Sequence, residues 1–152
     1  MIARILVDTN VLVYAYDRAH PEKQRRADEL LDELTFARAG AVSTQILGEF
    51  LVTVTRKPAP PLPLEGALEE VSRYIRSWTV LDVTAHVVEE ALRGVLHHRL
   101  NYWDAQIWAV ARLHHLRYVL SEDFSDGAVL EGVHFVNPLR AGFHVADLIE
   151  SR

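Results

Sequence analysis

The sequence predicts a single-domain α/β fold with a central, mostly parallel sheet of about five strands covered by helices on both faces. Three observations predict it. Short apolar, partly β-branched runs alternate along the chain with segments of helical hydrophobic spacing. Four acidic residues far apart in sequence, Asp8, Glu49, Asp104 and Asp123, each fall where a strand ends or a helix begins. In an open parallel sheet, strand ends and helix starts share the rim where ligands bind, so the fold would gather all four there. The 152-residue length suits one domain with a sizeable core, and 49% hydrophobic with 24% charged residues is an ordinary globular composition.

The elements follow in order. Ile2-Ala3-Arg4-Ile5-Leu6-Val7 is a buried-strand run ending at Asp8. Thr9 and Asn10 then offer cap chemistry for a helix from Val11 to about Asp17. Pro21 fits the first turn of the next helix, whose Ala27, Leu30, Leu31 and Leu34 repeat at helical spacing until Gly40. Ala41-Val42-Ser43 forms a second strand, and Thr44 caps a helix through Arg56 with Leu47, Phe50, Leu51 and Val54 inward. Lys57 to Pro63 holds four of the six prolines and reads as a stiff helix-to-helix loop. Leu64 to Ser77 is helical, and Val80-Leu81-Asp82-Val83 is a third strand closed by Thr84 as a cap. His86 to about His98 and Tyr102 to His115 are two helices broken near Leu100-Asn101. Arg117 to Ser121 is a fourth strand and Val133 to Val136 a fifth, ended by Asn137-Pro138. Residues 1–138 thus form the domain. Residues 139–152 are a C-terminal extension in which Val145, Leu148 and Ile149 make a short amphipathic turn, docked on the body, used at a dimer contact or frayed.

Zero cysteines exclude disulfides, thiolate zinc sites and a cysteine nucleophile, so any metal is held by oxygen or imidazole. No run approaches a membrane span and the N-terminus lacks the form of a leader peptide, which makes a cytoplasmic location the expectation. The formal charge of −5 is the wrong sign for a surface that attracts nucleic acid as a whole. Two divalent ions would bring it to −5 + 4 = −1, so acidity is a weak objection to such a substrate. Arginine outnumbers lysine 14 to 2, and Lys23 and Lys57 are the only lysines. The pairs His97-His98 and His114-His115 sit near helix ends with no third ligand at a suitable spacing, and are expected to complement helix dipoles rather than bind metal.

The four carboxylates carry the chemistry. Asp8 closes the first strand; alone it would read as a helix cap. Glu49 lies in the second turn of its helix and alone would read as solvated. Asp104 shares a face with Ile107, Trp108 and Ala111, so its carboxylate falls on a buried stripe, which is costly unless it is paired or metal-bound. Asp123 follows the strand RYVLS; Asp126-Gly127 beyond it reads first as turn chemistry, with Asp126 an alternate for the fourth ligand. Carboxylates gathered on one rim repel one another unless a cation sits between them, and a hard divalent ion is the natural filler.

Val7-Asp8-Thr9-Asn10-Val11-Leu12, a mid-chain helical Glu49, Tyr102-Trp103-Asp104-Ala105 opening a helix and Leu120-Ser121-Glu122-Asp123-Phe124 after a strand resemble the PIN-domain nucleases, in order and spacing, across residues 2–138. At this size the chain is most similar to the toxin component of bacterial type II toxin–antitoxin pairs. The family commonly has threonine two residues before its last acid, where this chain has Ser121, and Glu122 and Asp126 add carboxylates around the fourth position. The resemblance implies a three-layer PIN-like fold and a Mg²⁺- or Mn²⁺-dependent endoribonuclease. Asp8, Glu49, Asp104 and Asp123, with Asp126 as the alternate, would hold one or two ions. Thr9, Asn10 and Ser121 would orient those ligands by hydrogen bonds. It also implies an RNA substrate, an antitoxin protein that masks the site and a homodimer. Two other readings compete: a phosphatase or phospho-acceptor domain in which Asp8 is the nucleophile, for which Lys23 and Lys57 look poorly placed, and a non-catalytic scaffold that only binds a partner.

Overall fold

The computed structural model describes residues 4–150. Six strands and seven helices run in the order β1 (Ile5–Val7), α1 (Thr9–Tyr14), α2 (Pro21–Ala37), β2 (Gly40–Ser43), α3 (Thr44–Val54), α4 (Leu64–Ser77), β3 (Thr79–Leu81), α5 (Ala85–His98), α6 (Tyr102–Leu113), β4 (Tyr118–Leu120), β5 (Val129–Leu130), β6 (Val133–Val136) and α7 (Ala146–Glu150). They form one sheet in the order β3-β2-β1-β4-β6-β5, parallel throughout except for β5 against β6. The α/β class and the helices flanking a mostly parallel sheet are as expected.

Successive strand residues point to opposite faces, and Ile5, Leu6 and Val7 are all fully buried, so helices cover β1 on both sides. From β1 the chain steps outward through β2 to β3; it then returns to the other side of β1 with β4. The boundary between β1 and β4 is therefore the topological switch point, where an open α/β sheet leaves a crevice beyond its strand ends. The register sets Leu6 opposite Val119 and Val7 opposite Leu120, and the Asp8 backbone N–H continues it by donating to Leu120 O at 2.9 Å. That brings Asp8 beside Ser121.

Some boundaries differ from the sequence reading. The first strand is Ile5–Val7; Ile2 and Ala3 lie outside the described residues. Asp8, rather than Thr9 or Asn10, caps α1, accepting from Thr9 N, and α1 ends at Tyr14 instead of Asp17. Ser43, rather than Thr44, caps α3, its hydroxyl accepting from Ile46 N; Thr44 Oγ1 accepts from Val83 N across the rim. Thr84 caps α5 as predicted. The hairpin partner β5 had no counterpart in the sequence reading, being only two residues long, with Glu131 and Gly132 at φ 49° and 85° making the turn into β6. Beyond β6, Val145 is buried and Leu148 and Ile149 pack on the core, so α7 docks on the body. No helix among the described residues is long and apolar enough to cross a membrane.

Two glycines let large rings approach backbone. A Cβ on Gly94 of α5 would lie 2.8 Å from Trp108 of α6, so the α5–α6 crossing needs its absence. On Gly40 it would lie 2.6 Å from Trp78 Cε3, and that ring cannot yield: its Nε1–H donates to Thr35 Oγ1 at 2.8 Å and Tyr74 packs edge-on against it. Gly40→Ala is expected to destabilise the protein by about 2–3 kcal/mol, read as a fall in urea midpoint at unchanged slope. An unchanged midpoint would mean that the Trp78 packing is loose.

Candidate functional site

Asp8, Glu49, Asp104 and Asp123 line a single cleft of about 190 Å³, together with Thr9, Asn10, Gln45, Thr53, Lys57, Trp103 and Ile107. Each acid arrives from a different part of the chain. Asp8 ends β1; Asp123 follows β4; Glu49 comes from α3, which starts where β2 ends; Asp104 stands in the first turn of α6, whose N-terminus shares the rim.

Asp8 is the buried centre, 4% exposed. Its Oδ1 accepts from Thr9 N at 2.7 Å, and its Oδ2 accepts from Ser121 Oγ at 2.7 Å and Asn10 Nδ2 at 3.2 Å. Burial pushes its pKa up to about 6 against the pull of those hydrogen bonds, and the charges of Asp123 and Glu49 add to the rise. Asn10 is the tie between the two strand ends. Its Nδ2 also donates to Asp123 Oδ2 at 3.1 Å and Ser121 Oγ at 3.2 Å, while its Oδ1 accepts from Glu122 N at 3.1 Å. Ser121 Oγ further accepts from Asp123 N. Thr9 Oγ1, by contrast, is buried with no hydrogen-bond partner among the described residues.

The other two acids have supports that the sequence reading missed. A chain runs from Tyr102 OH to Gln106 Oε1, from Gln106 Nε2 to Gln45 Oε1 and from Gln45 Nε2 to Glu49 Oε1, at 2.7, 2.7 and 2.6 Å. Asn101 and Asp104 bond reciprocally: Asp104 N donates to Asn101 Oδ1 and Asn101 Nδ2 to Asp104 Oδ2 at 2.6 Å. The signals were the i, i+3 and i, i+4 spacings of Asn101/Asp104, Gln45/Glu49 and Tyr102/Gln106. The pKa values of Glu49 and Asp104 are both raised, first by burial; Asp104 and Asp123 add to the rise at Glu49, and Asp123 to that at Asp104.

Two neighbouring acids are occupied elsewhere. Asp126, the alternate fourth ligand, is turned away: it accepts from Asn137 N at 2.9 Å, faces Arg140 at 3.3 Å and does not line the cleft. Glu122 pairs with Lys23 at 2.7 Å and accepts from Tyr14 OH at 2.8 Å, contacts that hold its carboxyl below the usual range despite partial burial. Lys57, expected to lie away from Asp8, lines the same cleft. Of the histidine pairs, His98 bonds Glu131 and His114 bonds the Val110 carbonyl.

The donor set fits a hard divalent cation: oxygen ligands only, mutually raised pKa values, and Glu49 Oε2, Asp104 Oδ1 and Asp123 Oδ1 free of hydrogen bonds among the described residues. As placed, no three Asp, Glu or His side chains among the described residues stand in coordinating geometry, so holding an ion takes side-chain movement.

The PIN-domain family model matches residues 5–125. The chain belongs to the PIN-domain family. Solved structures with the same fold include a toxin–antitoxin complex from Klebsiella pneumoniae, 20% identical, with TM-score 0.63 over 88% of this chain and 97% of that one. A DNA-bound VapBC complex from Salmonella typhimurium is 18% identical, with TM-score 0.62 over 88% and 96%. VapC20 of Mycobacterium tuberculosis, a toxin that cleaves the sarcin–ricin loop, is 22% identical, with TM-score 0.56 over 78% and 89%. No curated protein sequence matches this chain.

Proposed function

We propose that this PIN-domain protein is a metal-dependent endoribonuclease and the toxin of a toxin–antitoxin pair. The observation that carries the reading is the meeting of Asp8, Glu49, Asp104 and Asp123 in one cleft beyond the sheet's switch point. These four would hold Mg²⁺ or Mn²⁺, which when bound supplies positive charge beside the scissile phosphate and lowers the pKa of an attacking water. The chain's own residues do the positioning. Asn10 and Ser121 fix Asp8 and Asp123 relative to each other, Gln45 holds one oxygen of Glu49 and Asn101 one oxygen of Asp104. Asp8 carries its proton in mildly acid solution, so the cleft accepts a cation best above about pH 6.

Asp8 is a poor nucleophile for the phosphatase alternative, since both of its oxygens are engaged by hydrogen bonds at the bottom of the cleft. Structural neighbours solved as toxin–antitoxin complexes support an antitoxin partner, and we propose that it covers the cleft. Leu92 and Leu96, exposed one turn apart on α5, support a homodimer contact, which analytical ultracentrifugation would reveal or exclude. The test of the enzyme reading is cleavage of a mixed RNA substrate by purified, partner-free protein with Mg²⁺ or Mn²⁺, with EDTA, and with Asp104→Asn in parallel. Cleavage should require the metal and fall about 100-fold in the variant. Equal activity of the variant would sink the assignment of Asp104.

A further inference from the structure

We infer that Trp103 and Lys57 are the substrate-binding residues of the cleft: Trp103 stacks on an unpaired base and Lys57 holds a backbone phosphate of a single-stranded RNA segment. The inference rests on the endoribonuclease reading above and specifies how that site takes its strand.

Trp103 is 62% exposed on the wall of a cleft otherwise lined mainly by polar side chains. Most of that large ring stands in solvent beside a polar site. Its backbone is nevertheless fixed: Trp103 O accepts from Gln45, the residue that holds Glu49, and its ring packs edge-on against Tyr102 at 5.1 Å. The indole thus stands exposed next to Asp104 in the same first helical turn. Every base has a π-face, so such a ring accepts any unpaired nucleotide, whereas a paired base keeps its faces inside the duplex stack.

Among the described residues Lys57 is the only cation that lines the cleft, and it has no carboxylate partner there. Lys23, the other lysine, is committed to Glu122, which lines the adjoining pocket. The proline-rich loop explains why Lys57 stays. Arg56 and Lys57 N–H groups both donate to Thr53 O, and Leu62 N returns to Val54 O, folding the loop back on the end of α3. Lys57 also lines an adjoining pocket of about 270 Å³ with Tyr14, His20 and Asp123. Asn10, Thr53, Lys57 and Asp123 are common to both, so the two form one groove with Lys57 at the junction, where a strand crossing the carboxylates must pass a phosphate.

The test uses intrinsic fluorescence. Of the three tryptophans, Trp78 and Trp108 are buried, so quenching by added nucleic acid reports on Trp103. The probe is a mixed-sequence single-stranded oligoribonucleotide, added in Ca²⁺ in place of Mg²⁺ with gels confirming an intact strand, beside the same sequence as a duplex. Quenching by the single strand and not the duplex is expected. Trp103→Phe should lose the quenching yet keep most affinity, and Trp103→Ala should bind about 10-fold more weakly at unchanged salt dependence. Lys57→Ala should keep the quenching and flatten the slope of log affinity against log salt by about 0.7. Binding that neither quenches Trp103 nor depends on it, or equal quenching by the duplex, overturns the inference and leaves the nuclease reading in place. No binding of either RNA overturns both.

Discussion

Asp8→Asn is expected to abolish cleavage, by about 1,000-fold, while making the metal-free protein more stable at pH 8. Asp8 is buried with its pKa pushed up to about 6, burial outweighing its hydrogen bonds to Ser121 and Thr9. An unfolded aspartate titrates near 3.8. Above about pH 6 the folded protein therefore bears the full penalty of the buried charge. As pH falls from 6 towards 4 the folded form takes up a proton that the unfolded form does not, so stability rises, and below about 4 the gain is complete. The full swing is about 3 kcal/mol. Asparagine keeps the cap acceptor for Thr9 N, but its amide nitrogen replaces Oδ2, so the bond from Asn10 Nδ2 is lost and the Ser121 hydroxyl must turn to accept; together these cost about 2 kcal/mol, leaving a net gain of about 1 kcal/mol at pH 8. In EDTA, thermal unfolding of the wild type at pH 8 and pH 5 should show the rise, and the variant should start about 2–4 °C higher and show a smaller rise, the part that Glu49 and Asp104 still contribute. Mg²⁺ should stabilise only the wild type. Parallel pH curves for the two proteins would mean that Asp8 is ionised and compensated without a cation.

That prediction could be drafted from the sequence only in part. The strand run ending at Asp8, the helical periods and the place of each acid at a rim were legible because buried strands and amphipathic helices write their spacing locally. The cap assignments slipped by one residue at Asp8 and Ser43, since several consecutive polar side chains can cap and only the tertiary hydrogen bonds choose among them. Thr9, read as a cap, is left with an unbonded hydroxyl because Asp8 takes the cap position. Asp126 resembled Asp123 in sequence and parted from it only through Arg140 and the backbone of Asn137, both beyond the last strand. Gln45, Gln106 and Lys57 were invisible as site residues for a related reason. The i, i+4 spacings Gln45/Glu49 and Tyr102/Gln106 were local, but the joining of the two pairs where α3 meets α6, and the place of Lys57 on the proline loop folded back on α3, are contacts that no local pattern encodes.

The tie between the strand ends gives the second large effect. Asn10→Asp preserves shape but replaces the Nδ2 donor, which faces Asp8 Oδ2 at 3.2 Å and Asp123 Oδ2 at 3.1 Å, with an oxygen of a fifth carboxylate. Three donated bonds vanish and two repulsions appear where the field is already negative. Metal-free stability at pH 8 should fall by about 2 kcal/mol and recover when pH is lowered or metal is added. Cleavage should drop about 100-fold even at saturating metal, because Asp8 and Asp123 are no longer held in one relative orientation. The half-saturating metal concentration should nonetheless decrease, since an added carboxylate strengthens cation binding. Asn10→Ala, which removes the same three bonds and the acceptor for Glu122 N without adding charge, should lose about tenfold in rate and bind metal more weakly than the wild type. Opposite shifts in metal affinity with falling rates in both variants are what separates an orienting residue from a packing one. If both variants cleave within twofold of the wild type, the amide of Asn10 is not what aligns the site.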